Sequence, residues 1–332
     1  MTRFAAIVYA ALMLAACERP AEETPSPAVR PEPVVVYASF EDEDYLPSLF
    51  AGFTRDTGIL VTVRHRPEHQ IVGEVIANKG SPPADLLLTR SVQGIWRAAD
   101  EGALRPLQSQ AIARTVPGWL RDPDGYWAAI GFSPIHVSCS GERQEDCDAV
   151  EAYEDLGKPE FSGQLCLSAS SLAVNRTLVA ALIADHGVRP AELIVRGWIA
   201  NLALPPFDSE VALLQAVEAG TCRLAVVSSL AFHNFDRPTV AASWPQPGYF
   251  DVVAVGVNRH ARSPDAAGRL AEWLGGAGAM AAQFDAIGLR PVDAGVSADG
   301  LPFPTSEKMR SANVFGLHEA EAIKLAERAR WY

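Results

Sequence analysis

Four acids in a row, Glu41-Asp42-Glu43-Asp44, place carboxylate oxygen just beyond a short apolar run, Val34-Val35-Val36-Tyr37. Oxygen ligands of this kind suit hard cations such as calcium, magnesium or manganese. The competing use of the same residues is a solvated loop whose charge stabilises the N-terminus of the helix that follows. Neutral hydrogen-bonding groups recur at Ser39, beside the acids, and at Ser170, Ser171 and Asn175 in a small-residue loop. Such hydroxyls and amides either hold a small organic ligand or close turns and cap helices. His233 offers an imidazole to a metal or an anion, or serves structure. His65 and His69 are four apart, but Pro67 stands between them and breaks the helical spacing a metal pair would need. No GxSxG turn, HExxH helix or ordered Ser/His/Asp set is present, so nothing marks the chain as an enzyme.

The chain opens with a short cationic segment, Met1-Thr2-Arg3, an apolar run over 4–14, and Leu14-Ala15-Ala16-Cys17. This reads as a secretory signal over 1–16, too short to span a bilayer as a helix. The small residues before Cys17 resemble the lipobox of bacterial lipoproteins, which implies lipid attachment at Cys17 and a periplasmic, membrane-anchored protein. Residues 17–33 are rich in proline and poor in large apolar side chains, so they read as a tether. Proline favours extended chain, at about 3.1 Å per residue.

From residue 34 onward the chain reads as globular, with 48% hydrophobic and 20% charged residues overall. Its length exceeds one ordinary core, which predicts two lobes. Without residues 1–16 the chain carries 27 basic and 40 acidic side chains, a net charge of −13. That balance excludes nucleic acid as a partner, because phosphate neutralisation needs a basic footprint.

Beyond Cys17 stand Cys139, Cys147, Cys166 and Cys222. In an oxidising compartment they predict two disulfides, and four cysteines allow three connectivities. Proximity across a polar loop favours Cys139–Cys147, with Cys166–Cys222 closing a longer one. A metal site is the alternative, although no CxxC pair with nearby histidines is present.

These residues must be positioned by an alternating series of strands and helices. Apolar runs predict strands at 34–37, 59–63, 84–89, 165–167, 224–227 and 250–257. Helical spacing appears at 45–57, 71–78, 92–101, 177–186, 191–201, 211–219, 264–275 and 279–287. Such alternation predicts an α/β fold of mostly parallel sheets flanked by helices, with ligands beyond the carboxyl ends of the strands.

Several segments resemble the ferric-ion-binding periplasmic proteins of ABC importers. They are Ser81-Pro82-Pro83-Ala84-Asp85-Leu86-Leu87-Leu88-Thr89, Trp96-Arg97-Ala98-Ala99-Asp100-Glu101-Gly102-Ala103-Leu104 and Leu120-Arg121-Asp122-Pro123-Asp124-Gly125-Tyr126-Trp127. The series continues through Cys166-Leu167-Ser168-Ala169-Ser170-Ser171 with Asn175, then Ala216-Val217-Glu218-Ala219-Gly220-Thr221-Cys222, to the tail ending at Trp331. The resemblance implies the type II periplasmic-binding-protein fold, in which two α/β lobes close on a ligand between them. It assigns 34–125 with 250–295 to lobe 1 and 126–249 with 296–332 to lobe 2, and pairs Cys166 with Cys222. It also implies importer permease and ATPase subunits as partners, and a monomer.

The same resemblance implies ferric iron held by tyrosine phenolates, which are hard, basic oxygen donors. The matching positions hold Asp42, Cys139, Val174, Leu230 and Ala231, and an anion-binding arginine pair falls near Ser133 and Ile135. Only Tyr45 and Tyr249 remain near the expected cleft. The expectation is therefore a lipid-anchored solute-binding protein with a remodelled site. Its candidate ligand residues are Ser39, Glu41, Asp42, Ser170, Ser171, Asn175, His233 and Tyr249, and ferric iron, another hard cation or a small organic molecule is the candidate ligand. The alternative is an envelope sensor or interaction protein built on the same fold.

Overall fold

In the computed structural model, the residues described are 32–39, 45–78, 82–235, 239–276, 278–280, 282, 287–292 and 310–332. The signal, Cys17, the tether as far as residue 31 and the run Glu41 to Asp44 lie outside them, as does the side chain of Tyr45.

The apolar run near the start becomes Val34–Ala38 (β1), buried everywhere but Val35. It lies parallel between Val61–His65 (β2) and Leu86–Thr89 (β3). Tyr45–Thr57 (α1), Glu68–Ala77 (α2) and Val92–Asp100 (α3) follow these strands in turn, as βα alternation requires. The helix expected at 71–78 begins at Glu68, immediately after Pro67, whose fixed φ and missing N–H suit a helix entry. Ser91 ends the loop before α3, its Oγ accepting from Gly94 N at 3.3 Å.

Beyond β3 the sheet departs from the expected parallel order. Phe250–Asn258 (β9), buried at all nine positions, runs antiparallel to β3, and the thirteen-residue strand Ala128–Ser140 (β5) runs antiparallel to β9. The first half of β5 pairs with β9, whereas its second half pairs with Leu224–Ser228 (β7) and Val240–Ser243 (β8). β5 thus passes from one sheet into the next. Leu165–Cys166 (β6) adds a parallel edge to β7, giving the order β2-β1-β3-β9-β5-β7-β6, with the two-residue strand Leu104–Arg105 (β4) pairing with β9 and β8 with β5 off this path. Neither β5 nor β8 was legible as a strand, because Gly131, Ser133, Pro134 and Ser138 interrupt the apolar pattern of β5.

After the short helices Gln110–Thr115 (α4) and Gln144–Asp148 (α5), Ala173–His186 (α6) packs against β9 and Val188–Ala200 (α7) against α6, whereas Glu210–Glu218 (α8) and Ser229–Phe235 (α9) pack against β5 and β7. α6 starts four residues before its expected start, and Gly187, at φ 80°, makes the left-handed corner into α7. Ala312–Leu317 (α11) packs against α3 and α6, and Glu319–Arg328 (α12) packs against α6 and α7. Trp331 then locks the tail, donating from Nε1 to Ser168 O at 2.9 Å and accepting from Ser170 Oγ at 2.7 Å.

Both expected disulfides are formed, Cys139–Cys147 and Cys166–Cys222. The second sits in a separate small core with Leu213, Leu214 and Val217 of α8 and Ala225 and Val227 of β7. Among the described residues no helix is long and apolar enough to cross a membrane.

Candidate functional site

Strand ends and helix starts converge on a cleft of about 640 Å³. Ser39 follows β1, Arg90 follows β3, Glu68 opens α2, and Gln93 and Gly94 stand in the first turn of α3. Ser171 precedes α6, Val174 and Arg176 lie in its first turn, Glu210 opens α8, Ser228 ends β7 and Leu230 begins α9. Ser133 of β5 and Asp251 of β9 complete it from the two strands that run antiparallel to each other. The placement follows from sheet geometry, in which ligands sit beyond the carboxyl ends of strands.

The cleft carboxylates are already engaged with the protein's own donors. Glu68 accepts from Arg90 N at 3.0 Å, from Ser39 Oγ at 3.3 Å and from Ser91 Oγ. A Cβ at position 94 would lie 2.6 Å from Glu68 Oε1, so glycine there lets the carboxylate reach the start of α3. Asp251 Oδ1 accepts from Val92 N at 3.0 Å and Val252 N at 2.8 Å, and its Oδ2 accepts from Thr177 Oγ1 at 2.9 Å. Glu210 accepts from Ser228 N at 2.5 Å and Ser228 Oγ at 3.1 Å. Glu68 and Asp251 therefore neutralise the positive end of α3 from inside the protein.

Burial raises the Glu68 carboxyl above its usual range, against the hydrogen bonds from Ser91 and Arg90. Burial raises Glu210 in the same way, against its bonds from Ser228. Asp251 is pushed up to about 7, chiefly by burial, with the Glu68 charge adding to the shift against three hydrogen bonds.

Of the residues expected at the site, Ser39 and Ser171 line this cleft. Ser170 instead holds the carbonyl of Trp331. Asn175 is fully buried, its Nδ2 donating to Ser168 O, Ser168 Oγ and Ala169 O, so it shapes the loop before α6. His233 is exposed on α9 and packs against Gly288, where a Cβ would fall 2.4 Å from it. Tyr249 is buried away from the cleft, donating to Asp185 Oδ2 at 2.7 Å and stacking on Tyr153. Burial and the Asp185 hydrogen bond both raise its phenol, which opposes phenolate formation. His69 lines the cleft, whereas His65 lines a groove between α1 and β2, so the two do not form a pair. Glu41 and Asp42 lie outside the described residues.

At the positions that the resemblance assigns to tyrosine, Val174 and Leu230 line the cleft with hydrocarbon. Ala231 follows on α9, and Cys139 is bonded to Cys147 near the far end of β5. Among the described residues no tyrosine lines the cleft, and no three His, Cys, Asp or Glu side chains are grouped to hold a metal ion. The arrangement suits a ligand recognised by hydrogen bonds and by charges of both signs. Glu68, Gln93, Arg176, Glu210 and Asp251 were missed as site residues. The one available signal was Asp251, a lone acid in the apolar run Phe250-Asp251-Val252-Val253-Ala254-Val255.

A family model described as bacterial extracellular solute-binding protein matches residues 81–310. Iron uptake protein A1 of Synechocystis is 30% identical over 182 residues, covering 54% of this chain and 50% of that protein. The Fe(3+)-binding periplasmic protein of Serratia marcescens is 25% identical over 202 residues, covering 61% of this chain and 57% of that one. The chain thus spans about half the length of the curated relatives it matches. Among solved structures, the Trichodesmium IdiA/FutA protein in complex with iron and citrate ligands superposes with a TM-score of 0.83 at 25% identity, covering 90% of this chain and 99% of that one. The ferric binding protein from Campylobacter jejuni, 20% identical, shares the fold with a TM-score of 0.82, covering 90% and 100%. These likenesses are to periplasmic binding proteins of type II, built to hold solutes rather than to catalyse. The chain belongs to the bacterial extracellular solute-binding protein family.

Proposed function

We propose that this protein is the lipid-anchored, extracytoplasmic solute-binding component of an ABC importer, and that its cleft takes a solute other than an ion held by phenolates. Cys17 carries the lipid, residues 18–33 reach from the membrane, and the folded part works as a monomer that delivers its solute to permease and ATPase subunits. Residues 34–125 with 250–295 form one lobe and 126–249 with 296–332 the other, closing on the cleft. The observation that carries the reading is the hydrocarbon of Val174 and Leu230 lining the cleft at positions where the family resemblance calls for tyrosine. Ferric iron needs hard anionic oxygen, and an alkyl wall supplies none.

The test is thermal unfolding of the full chain in detergent with ferric iron supplied as its citrate chelate. A ligand bound to the native state alone at a hundred times its Kd adds about 2.7 kcal/mol of stability. The expected result is an unchanged melting temperature. A rise of several degrees that citrate alone does not produce would sink the remodelled site.

A further inference from the structure

Arg290 is a buried cation without a counter-charge. The residue is 9% exposed. Its backbone exchanges both hydrogen bonds with Phe132, at 2.9 Å each, so it is fixed to β5 near the point where that strand passes from one sheet into the next. Its Cζ stands 5.8 Å from the centre of the Trp244 ring, a cation–π contact that holds the guanidinium but supplies no acceptor oxygen. Among the described residues no carboxylate pairs with it, and burial alone lowers its proton affinity below the ordinary guanidinium range. A guanidinium stays charged even so, and a desolvated charge is costly unless it is paired.

The charge can be reached. Side-chain atoms both unpartnered and sealed from water include Arg176 Nε and His136 Nε2, but no nitrogen of Arg290. Making no hydrogen bond to the described residues, those nitrogens border space that a water can enter. The surroundings limit the charge that an incoming anion can carry. His136 meets the rings of Trp244 and Phe232 edge-on, at 4.7 and 4.9 Å between centroids. Burial and the Arg290 charge hold its imidazole down to about 3, so it adds no second positive charge near neutrality. One guanidinium balances a monoanion, whereas a dianion stays half compensated in a desolvated place. The planar fork of that guanidinium matches the two oxygens of a carboxylate.

We propose that Arg290 is a binding site for a small carboxylate, with the guanidinium donating to both carboxylate oxygens and the Trp244 ring against the cation. Arg290, Trp244 and His136 do not line the cleft, so this site is separate from the one that takes the solute.

The experiment is thermal unfolding of the full chain in detergent, at constant ionic strength, titrated with sodium formate, acetate, phosphate or chloride. A saturable rise in melting temperature with formate and acetate, larger than with phosphate or chloride, is expected. Arg290→Met is expected to weaken the acetate response at least tenfold. Arg269→Met, at an exposed arginine, is expected to keep it. Should Arg290→Met not fold, Arg290→Lys supplies the same readout, because it retains the charge but loses the fork. An undiminished acetate response in a folded Arg290 variant overturns the proposal, as does silence toward both carboxylates. A phosphate response that equals the acetate response and disappears with Arg290 overturns the assignment to a carboxylate.

Discussion

Asp251 Oδ1 accepts the amide of Val92 at 3.0 Å across 159 residues of chain. One carboxylate of β9 thereby caps the first turn of α3, and the helix start, the central strand and the cleft become a single unit. The contact exists because β3 and β9 are antiparallel neighbours, pairing Thr89 with Ala254. Asp251 is also where folding and proton binding meet.

Asp251 and His136 give opposite pH dependences. Burial holds Asp251 up to about 7 from an ordinary 3.8, so between those values the folded state binds more protons and stability falls as pH rises. His136, buried and near the Arg290 charge, is held down to about 3 from 6.5, so in that window stability falls as pH drops. Each slope approaches 1.4 kcal/mol per pH unit, and the two oppose each other between pH 3.8 and 6.5. Relative to the parent, Asp251→Asn is expected to lose stability as pH falls through this range, and His136→Leu to gain it. Urea midpoints from pH 4 to 8 check this, and variant curves parallel to the parent's would refute it.

The two disulfides should differ in their contribution. Cys166 and Cys222 are 56 residues apart, Cys139 and Cys147 only 8. Loop-closure entropy predicts about 4 kcal/mol for the longer loop and about 2.5 kcal/mol for the shorter. Chemical denaturation of the paired Cys→Ala variants measures both, and equal losses would show that chain entropy does not set the difference.

Asp85 is 3% exposed and ties three backbone amides together. Its Oδ2 accepts from Val35 N at 2.9 Å, and its Oδ1 accepts from Arg262 N at 2.6 Å and Ser263 N at 3.1 Å. Asp85→Ala is expected to cost roughly 2–4 kcal/mol, because buried donors lose a charged acceptor. A loss below about 1 kcal/mol in urea would mean that water replaces it.

Gly197 of α7 lies against Gly157, whose Cα would stand 3.0 Å from a Cβ at position 197. Helix propensity favours Gly197→Ala by about 1 kcal/mol, but backbone overlap at this distance should make it net destabilising by about 1–3 kcal/mol. Among the described residues nothing lies within 4 Å of a Cβ at Gly268, in Pro264–Leu274 (α10). Gly268→Ala should gain up to about 1 kcal/mol, and melting curves with the same sign for both variants would contradict the argument.

Strands such as Leu86–Thr89 were readable because a strand covered on both faces is an unbroken apolar run. β5 was not, since Pro134, Ser133 and Ser138 are tolerated within it by partners that change along its length. Ser39 and Ser171, singled out by the family resemblance, line the cleft. Tyr249 could not be excluded from it, because its phenol turns to Asp185 and Tyr153, both far away in sequence.

By itself the sequence determined the helices and strands with strong local periodicity, the ordered motifs that mark the family, and the absence of tyrosine at the positions where the family resemblance calls for it. These depend on residue type and short-range spacing, which survive in a linear string. Only the tertiary structure decided which polar groups share the cleft. Glu68, Gln93, Arg176 and Asp251 meet because antiparallel β9 is inserted between β3 and β5, and a hydrogen bond across 159 residues leaves no trace in local pattern.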